Sequence, residues 1–280
     1  MVMILRKAKP EDKSKVFEVE AKSMPSLQYL PHLFDEWSSE KHGDLSVVEL
    51  DGEVIGVGKY TSMPDGSAWI EALRVTPEKQ GLGAGKLLYE HWFELARQQG
   101  VNHMRMYTNV SNAKSKGLAE RFGLRVEGTY REATLPIKGA EIRGEAPAFK
   151  RVSDWGKAVR ILMPHAERWG GFLVMNRTFY RINPLTCAYL SERGMLYEDE
   201  ASGSVVTLGA RFMPQQSLHI GLISGDYEAC LRFALRRGVE KKVERLSILW
   251  PPELVDVEAS VTGFGFKRSR EDFITMGIAL

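Results

Sequence analysis

The chain echoes itself, and that narrows its possible folds more than any other feature. Residues 89–101, YEHWFELARQQGV, align without a gap on residues 227–239, YEACLRFALRRGV. Ahead of that pair, DGEVIGVG at 51–58 aligns on SGSVVTLG at 202–209, and behind it FGL at 122–124 aligns on FGF at 264–266. Three echoes in one order point to two copies of a single plan, each with its own core. Two unrelated α/β domains with chance similarities are the competing reading. With 280 residues the chain has room for two average domains. The Gly-, Pro- and charge-rich stretch at 138–154 is the natural connection, which predicts domains at 1–145 and 146–280.

Periodicity supplies the elements of the first copy. A short alternating strand runs into Pro10-Glu11-Asp12, which opens a helix reaching about Ser23. LQYLPHLFDEWSSE predicts a second short helix. Two alternating apolar runs flank Asp51-Gly52, a pair suited to the left-handed angles of a tight hairpin turn. AWIEALRV is the next strand, GAGKLLYEHWFELARQQG a helix closed by Gly100, and VNHMRMYTNV another strand. A helix and a strand follow, so the predicted order is β-α-α-β-β-β-α-β-α-β.

Between AWIEALRV and its helix stands EKQGLGAGK, with glycines at 81, 83 and 85. A glycine-rich helix start offers unpaired N–H groups and the positive end of the helix dipole, which suits a phosphate. A Walker A loop would need glycine at Gln80 and a hydroxyl at Leu87, and a dinucleotide fingerprint would need glycine at Lys86 or Leu88. Neither fits. The pattern that does fit is Gln80-x-x-Gly83-x-Gly85, directly after a strand ended by Pro77. In this the stretch 69–100 resembles the coenzyme A loop of the GNAT acetyltransferase superfamily, where Gln or Arg, two free positions, Gly, one free position and Gly or Ala join the fourth strand to the next helix.

The resemblance implies an α/β chain built on a mixed α+β sheet, with two GNAT-like acyl-CoA N-acyltransferase domains in tandem. It also implies acetyl-CoA as cosubstrate. Leu73, Arg74 and Val75 of a splayed strand would pair through their main chain with the pantetheine arm and acyl carbonyl. Gln80, Gly81, Leu82, Gly83, Ala84, Gly85 and Lys86 would hold the pyrophosphate, and Asn112 and Ser115 complete the cofactor set. The second copy lacks this loop, because Tyr89 follows Val75 by fourteen positions whereas Tyr227 follows Ile223 by four. Asp226 also stands at its helix start, where it would repel a phosphate. Cofactor is therefore expected in the first copy alone.

Acetyl transfer to an amine needs a route for the ammonium proton and a proton for the departing thiolate. Glu71, an acid in an otherwise apolar strand and two positions before Leu73, is the candidate base; pairing with Arg74 or orienting a cationic acceptor are its other readings. The family pattern places a thiolate-protonating tyrosine where this chain has Ala119, within Asn112-x-x-Ser115-x-x-Leu118-Ala119. Tyr107 is the substitute candidate, with strand packing as its alternative. A thiolate whose pKa lies near 8.5 also leaves without a dedicated acid. The family's acceptor region implies Tyr29, His32, Phe34 and Trp37, with Asp35 among them, although aromatics at helical spacing equally suit a core.

Composition excludes several partners. Net charge is +2 with signs mixed along the chain, so no basic stripe faces a nucleic acid or a membrane surface. No signal peptide or transmembrane run is apparent, and the six histidines and two cysteines lack metal-ligand spacing, so no metal is expected. Few cysteines and no signal suggest a cytoplasmic monomer or homodimer. The expected function is N-acetylation of a small-molecule amine or amino acid by direct attack in a ternary complex. The alternatives are a non-catalytic acyl-CoA sensor, or acetylation of a protein lysine or N-terminus.

Overall fold

The computed structural model describes residues 2–25, 28–140 and 148–280, which divide into two compact units. The first comprises residues 1–106, 113–125 and 276–280, and the second 107–112 and 126–275. The boundary expected between 145 and 146 lies outside the described residues.

The first unit opens with β1 (Met3–Lys7), α1 (Lys13–Ser23) and α2 (Leu30–Ser39), and continues through β2 (Asp44–Leu50), β3 (Glu53–Ser62) and β4 (Ala68–Val75). It closes with α3 (Ala84–Gln98), the start of β5 (His103–Asn109) and α4 (Ala113–Arg121). This is the order predicted from periodicity. Asp51 and Gly52 both take left-handed angles, φ 51° and 87°, and so turn β2 back on β3. Strands β1 to β4 pair antiparallel in sequence order, and β5 pairs parallel to β4.

Adjacent residues on β3 show what covers each face, since neighbouring side chains of a strand point opposite ways. The Lys59 Nζ stands 5.9 Å from the Trp37 ring of α2. Gly58 instead leaves room for Trp92 of α3, whose ring lies 2.5 Å from where a Cβ would be. Helices α1 and α2 thus cover one face and α3 the other. Trp69, Trp92, Leu88 and Met104 are all buried in this core. The last five residues of the chain also belong here, and the Leu280 N–H donates to the Asn102 carbonyl at 3.0 Å.

The second unit takes most of β6 (Arg125–Pro136), then β7 (Lys150–Arg151), α5 (Trp155–Leu162), β8 (Phe172–Met175), β9 (Thr178–Arg181) and α6 (Pro184–Arg193). There follow β10 (Leu196–Asp199), β11 (Ser204–Gly209), β12 (Ser217–Ser224), α7 (Tyr227–Glu240), β13 (Arg245–Trp250), α8 (Val255–Gly263), β14 (Lys267–Arg268) and most of the first half of β15 (Phe273–Ala279). The echoed segments fall on matching elements: α3 with α7, the β2–β3 turn with the β10–β11 turn, and the left-handed glycines after α4 and α8, Gly123 and Gly265.

Within the second unit the gap between its own parallel strands is filled. Parallel pairing of β12 with β13 ends at Ile220↔Ile248, and the wholly buried β8 packs there, with the Leu173 Cδ1 3.3 Å from where a Gly221 Cβ would stand. Helix α7 begins on Asp226, whose carboxylate accepts the Ala229 N–H at 3.0 Å. Asp226→Ala should lower the melting free energy by about 1 kcal/mol, the usual loss for an N-cap, as read by denaturant unfolding.

Candidate active site

Two backbone departures in β4 build the site. Its parallel pairing with β5 covers only Ala68↔Met104 and Trp69↔Arg105, so beyond Trp69 its main-chain groups on that side have no ladder partner in β5. Ala72 takes a left-handed φ of 55°, and the β3 partners jump from Lys59↔Glu71 to Val57↔Arg74. Ala72 and Leu73 therefore face Gly58 alone, which is a β-bulge. A one-residue bulge flips the alternation that follows it. Glu71 and Leu73, expected on one face, are thereby separated: Glu71 shares its face with Arg74, and Leu73 points to α3, 3.8 Å from a Cβ at Gly85.

The glycine loop follows at once. Gly81 and Gly83 are left-handed, φ 85° and 104°, and no atom lies within 4 Å of where either Cβ would be. Gly83 is the N-cap of α3 and supplies no side-chain cap, in contrast to Asp226 of the second unit. The first-turn N–H groups of α3 thus face an open cradle, and its fit to a pyrophosphate rests on that combination. The Gln80 Nε2 donates to the Val75 carbonyl at 3.2 Å, tying the loop to the end of β4. Ala84 is buried, Leu82 is exposed, and Gly85 serves packing, since a Cβ there would meet the Leu118 Cδ2 at 3.0 Å. Lys86 is exposed and 3.5 Å from Glu90. A cation that periodicity did not single out also reaches the loop: Lys114 of α4 donates to the Gln80 Oε1 at 3.2 Å. Its signal was its place in the same Asn112-to-Leu118 run.

Opposite α3, the α1–α2 face of β4 gathers polar groups. Glu71 is half-buried and accepts the Thr61 hydroxyl at 3.4 Å. The Arg74 Nη2 donates to the Tyr29 hydroxyl at 3.1 Å, with its guanidinium 5.6 Å from that ring. Tyr29 meets Trp37 edge-on at 5.8 Å. Lys59, fully buried, ion-pairs with Glu40 and donates to the Tyr60 carbonyl at 2.7 Å. Sequence reading passed over Glu20, a fully buried carboxylate in α1 whose Oε2 accepts the Leu30 N–H at 3.0 Å. Burial pushes its pKa up, against the pull of the Leu30 and Tyr29 N–H groups and of the Arg74 and His32 charges. Phe34 lies in the core against Phe17, ring centroids 6.1 Å apart, while His32 is exposed.

The remaining candidates are divided. Ser115 lies in α4 within the first unit. Asn112 and Tyr107 belong to the second, where the Tyr107 hydroxyl bonds the Arg177 guanidinium and its ring lies 6.0 Å from Phe273. Ala119 is fully buried in α4. Among the described residues no group of three metal-ligating side chains converges, and no helix is long and apolar enough to cross a membrane.

Known proteins resemble this chain in sequence over most of its first unit and in fold over nearly its whole length. Residues 12–124 match the sequence model of the Acetyltransferase (GNAT) family. A Bacillus subtilis (strain 168) protein named for alanine N-acetyltransferase activity on ribosomal protein bS18 is 28% identical over 125 residues, which is 44% of this chain and 82% of that one. A Pyrococcus horikoshii structure named as an acetyltransferase matches with a TM-score of 0.64 at 18% identity, over 99% of this chain and 89% of the other. A tandem GNAT protein from the clavulanic acid biosynthesis pathway matches with a TM-score of 0.60 at 13% identity, over 99% and 98% of the two chains. Identities this low speak to fold, and the likeness spans both copies.

Proposed function

Residues 12–124 belong to the GNAT acetyltransferase family, which makes the chain an N-acetyltransferase, and from that premise we propose that it moves the acetyl group of acetyl-CoA to the amine of a small molecule. The observation that carries this reading is the early end of the β4–β5 ladder at Trp69↔Arg105, beside an uncapped helix start with two open left-handed glycines. Acetyl-CoA supplies an activated thioester. The N–H groups from Gly81 to Lys86, with Gln80 and Lys114 beside them, hold its diphosphate, and the unladdered main chain of Leu73, Arg74 and Val75 takes the pantetheine arm.

Glu71 removes the proton that an ammonium must lose before it attacks, directly or through water, because an amine with a pKa near 10 is almost wholly protonated at pH 7. Ala119 carries no proton to give, so solvent serves the leaving thiolate, helped by its pKa of about 8.5. Tyr107 is held by Arg177 in the second unit, which supports its packing role over its role as acid. The second copy works without cofactor, a reading supported by the Asp226 cap and by β8 in its strand gap.

Purified protein incubated with acetyl-CoA and a panel of amines, with free thiol as readout, tests the reading; coenzyme A binding without thiol release from any amine would leave only a sensor. A protein N-terminus is the second reading, favoured by the activity named for the Bacillus subtilis relative, and a peptide beginning with alanine in the same panel tests it. Gly83→Val is expected to weaken acetyl-CoA binding about 100-fold, the loss of two or so charge-assisted bonds to a β-branched side chain in the cradle. Titration calorimetry against the parent reads this directly, and equal affinities would remove the loop from the site.

A further inference from the structure

The face of β4 turned to α1 and α2 carries a guanidinium that, among the described residues, no carboxylate hydrogen-bonds. Arg74 is half-buried, its Nη1 donates to the Leu73 carbonyl at 3.1 Å and its Nη2 to the Tyr29 hydroxyl at 3.1 Å. The Nε is buried and has no hydrogen-bond partner, and among the described residues no carboxylate lies within ion-pair distance of this guanidinium. A second unmet group stands in the same surroundings: the Oε1 of Glu20, a side chain with no exposed surface, also has no partner. Glu20 and Arg74 act on each other through space without a hydrogen bond between them. Protein interiors rarely keep charged groups unsatisfied, because each must give up water without a replacement.

We propose that Arg74 receives a carboxylate of the acceptor, so that the substrate class is an amine that also carries a carboxylate, with an α-amino acid as the simplest member. The inference rests on the N-acetyltransferase reading above and names the acceptor of the same site. The bulge at Ala72 is what makes it possible, because without the extra residue Arg74 and Glu71 would face opposite sides of the sheet. Their cross-strand partners Val57 and Lys59 are two residues apart, roughly 7 Å along a strand, so both long side chains reach one small zwitterion. Glu71 then meets the ammonium and Arg74 the carboxylate. Lys59 does not compete for that carboxylate, since Glu40 already neutralises it. A fork of guanidinium N–H groups suits a planar carboxylate better than a point charge would. A peptide N-terminus has an amide in place of that carboxylate, so the inference also separates the two acceptor readings.

The test compares each of the common α-amino acids with its α-carboxamide, in kcat/KM by thiol release and in binding to the protein loaded with coenzyme A by calorimetry. For the accepted side chain the parent should favour the free acid by about 10- to 100-fold, the range of a charge-assisted bond. R74Q should bring that ratio close to one, and R74K should fall between. Melting curves run alongside, and if R74Q does not fold, R74K carries the same comparison. A parent ratio near one, or a ratio that R74Q or R74K leaves intact, overturns the proposal while thiol release from amides keeps the transferase. No thiol release from any amine, with Arg74-dependent binding of free acids, removes the transferase and keeps this site.

Discussion

Glu71→Gln is expected to cut turnover at neutral pH about 100-fold, with the deficit closing as pH approaches the acceptor amine's own pKa of about 10. The sign follows from what the carboxylate does. Below that pKa the acceptor arrives as an ammonium, and the amide of glutamine cannot take its proton. Near the pKa free amine is abundant and the base becomes dispensable. The position supports the role: Glu71 is half-buried on the face of β4 turned to α1 and α2, within reach of the Thr61 hydroxyl and opposite the neutralised Lys59, just where β4 parts from β5. The isosteric change keeps the Thr61 contact, so the effect is read as chemistry rather than folding. Parallel pH profiles of kcat/KM for parent and variant would strip Glu71 of the base role.

Deleting residues 276–280 is expected to unfold or gravely weaken the first unit, although its loop lies far upstream in the chain. Those five residues belong to that unit. Met276 is fully buried, Ile278 lies over the turn that ends α4, 2.9 Å from a Cβ at Gly123, and the Leu280 N–H closes on Asn102. Loss of one fully buried methionine side chain costs about 2–5 kcal/mol, and the strand's main-chain bonds go with it. A typical domain has only about 5–15 kcal/mol to lose. Acetyl-CoA binding and the melting transition of the truncated chain measure this. An unchanged affinity and an unchanged transition would mean that the terminal segment is dispensable.

The turns and helix starts are local, and local chemistry accounts for them. Asp51-Gly52 specifies a turn through the angles it tolerates, Gln80-x-x-Gly83-x-Gly85 specifies a loop open to a ligand, and Asp226 caps its helix through contacts three residues long. The aromatic positions of α2 were ambiguous in sequence, and packing resolved them: Phe34 and Trp37 turn inward while His32 stays out. Lys114 and Glu20 escaped notice because neither has a local pattern; each matters through a partner in another element, Gln80 for one and Leu30 for the other. The face of Glu71 was misjudged for a related reason. Strict alternation holds only for an unbroken strand, and an alanine at a φ of 55° gives no advance sign of a bulge.

By itself the sequence carried the two-copy plan, through three echoes in one order, and the order of elements in the first copy, through local period and turn signals. Only the tertiary structure decided that the chain's last five residues complete the first unit, that β8 fills the strand gap of the second, and that Glu71 and Arg74 share a face. The division has one physical reason. Turn angles, helix caps and hydrophobic period act between neighbours, whereas strand partnership, bulges and the filling of gaps are settled by which distant surfaces bury each other best.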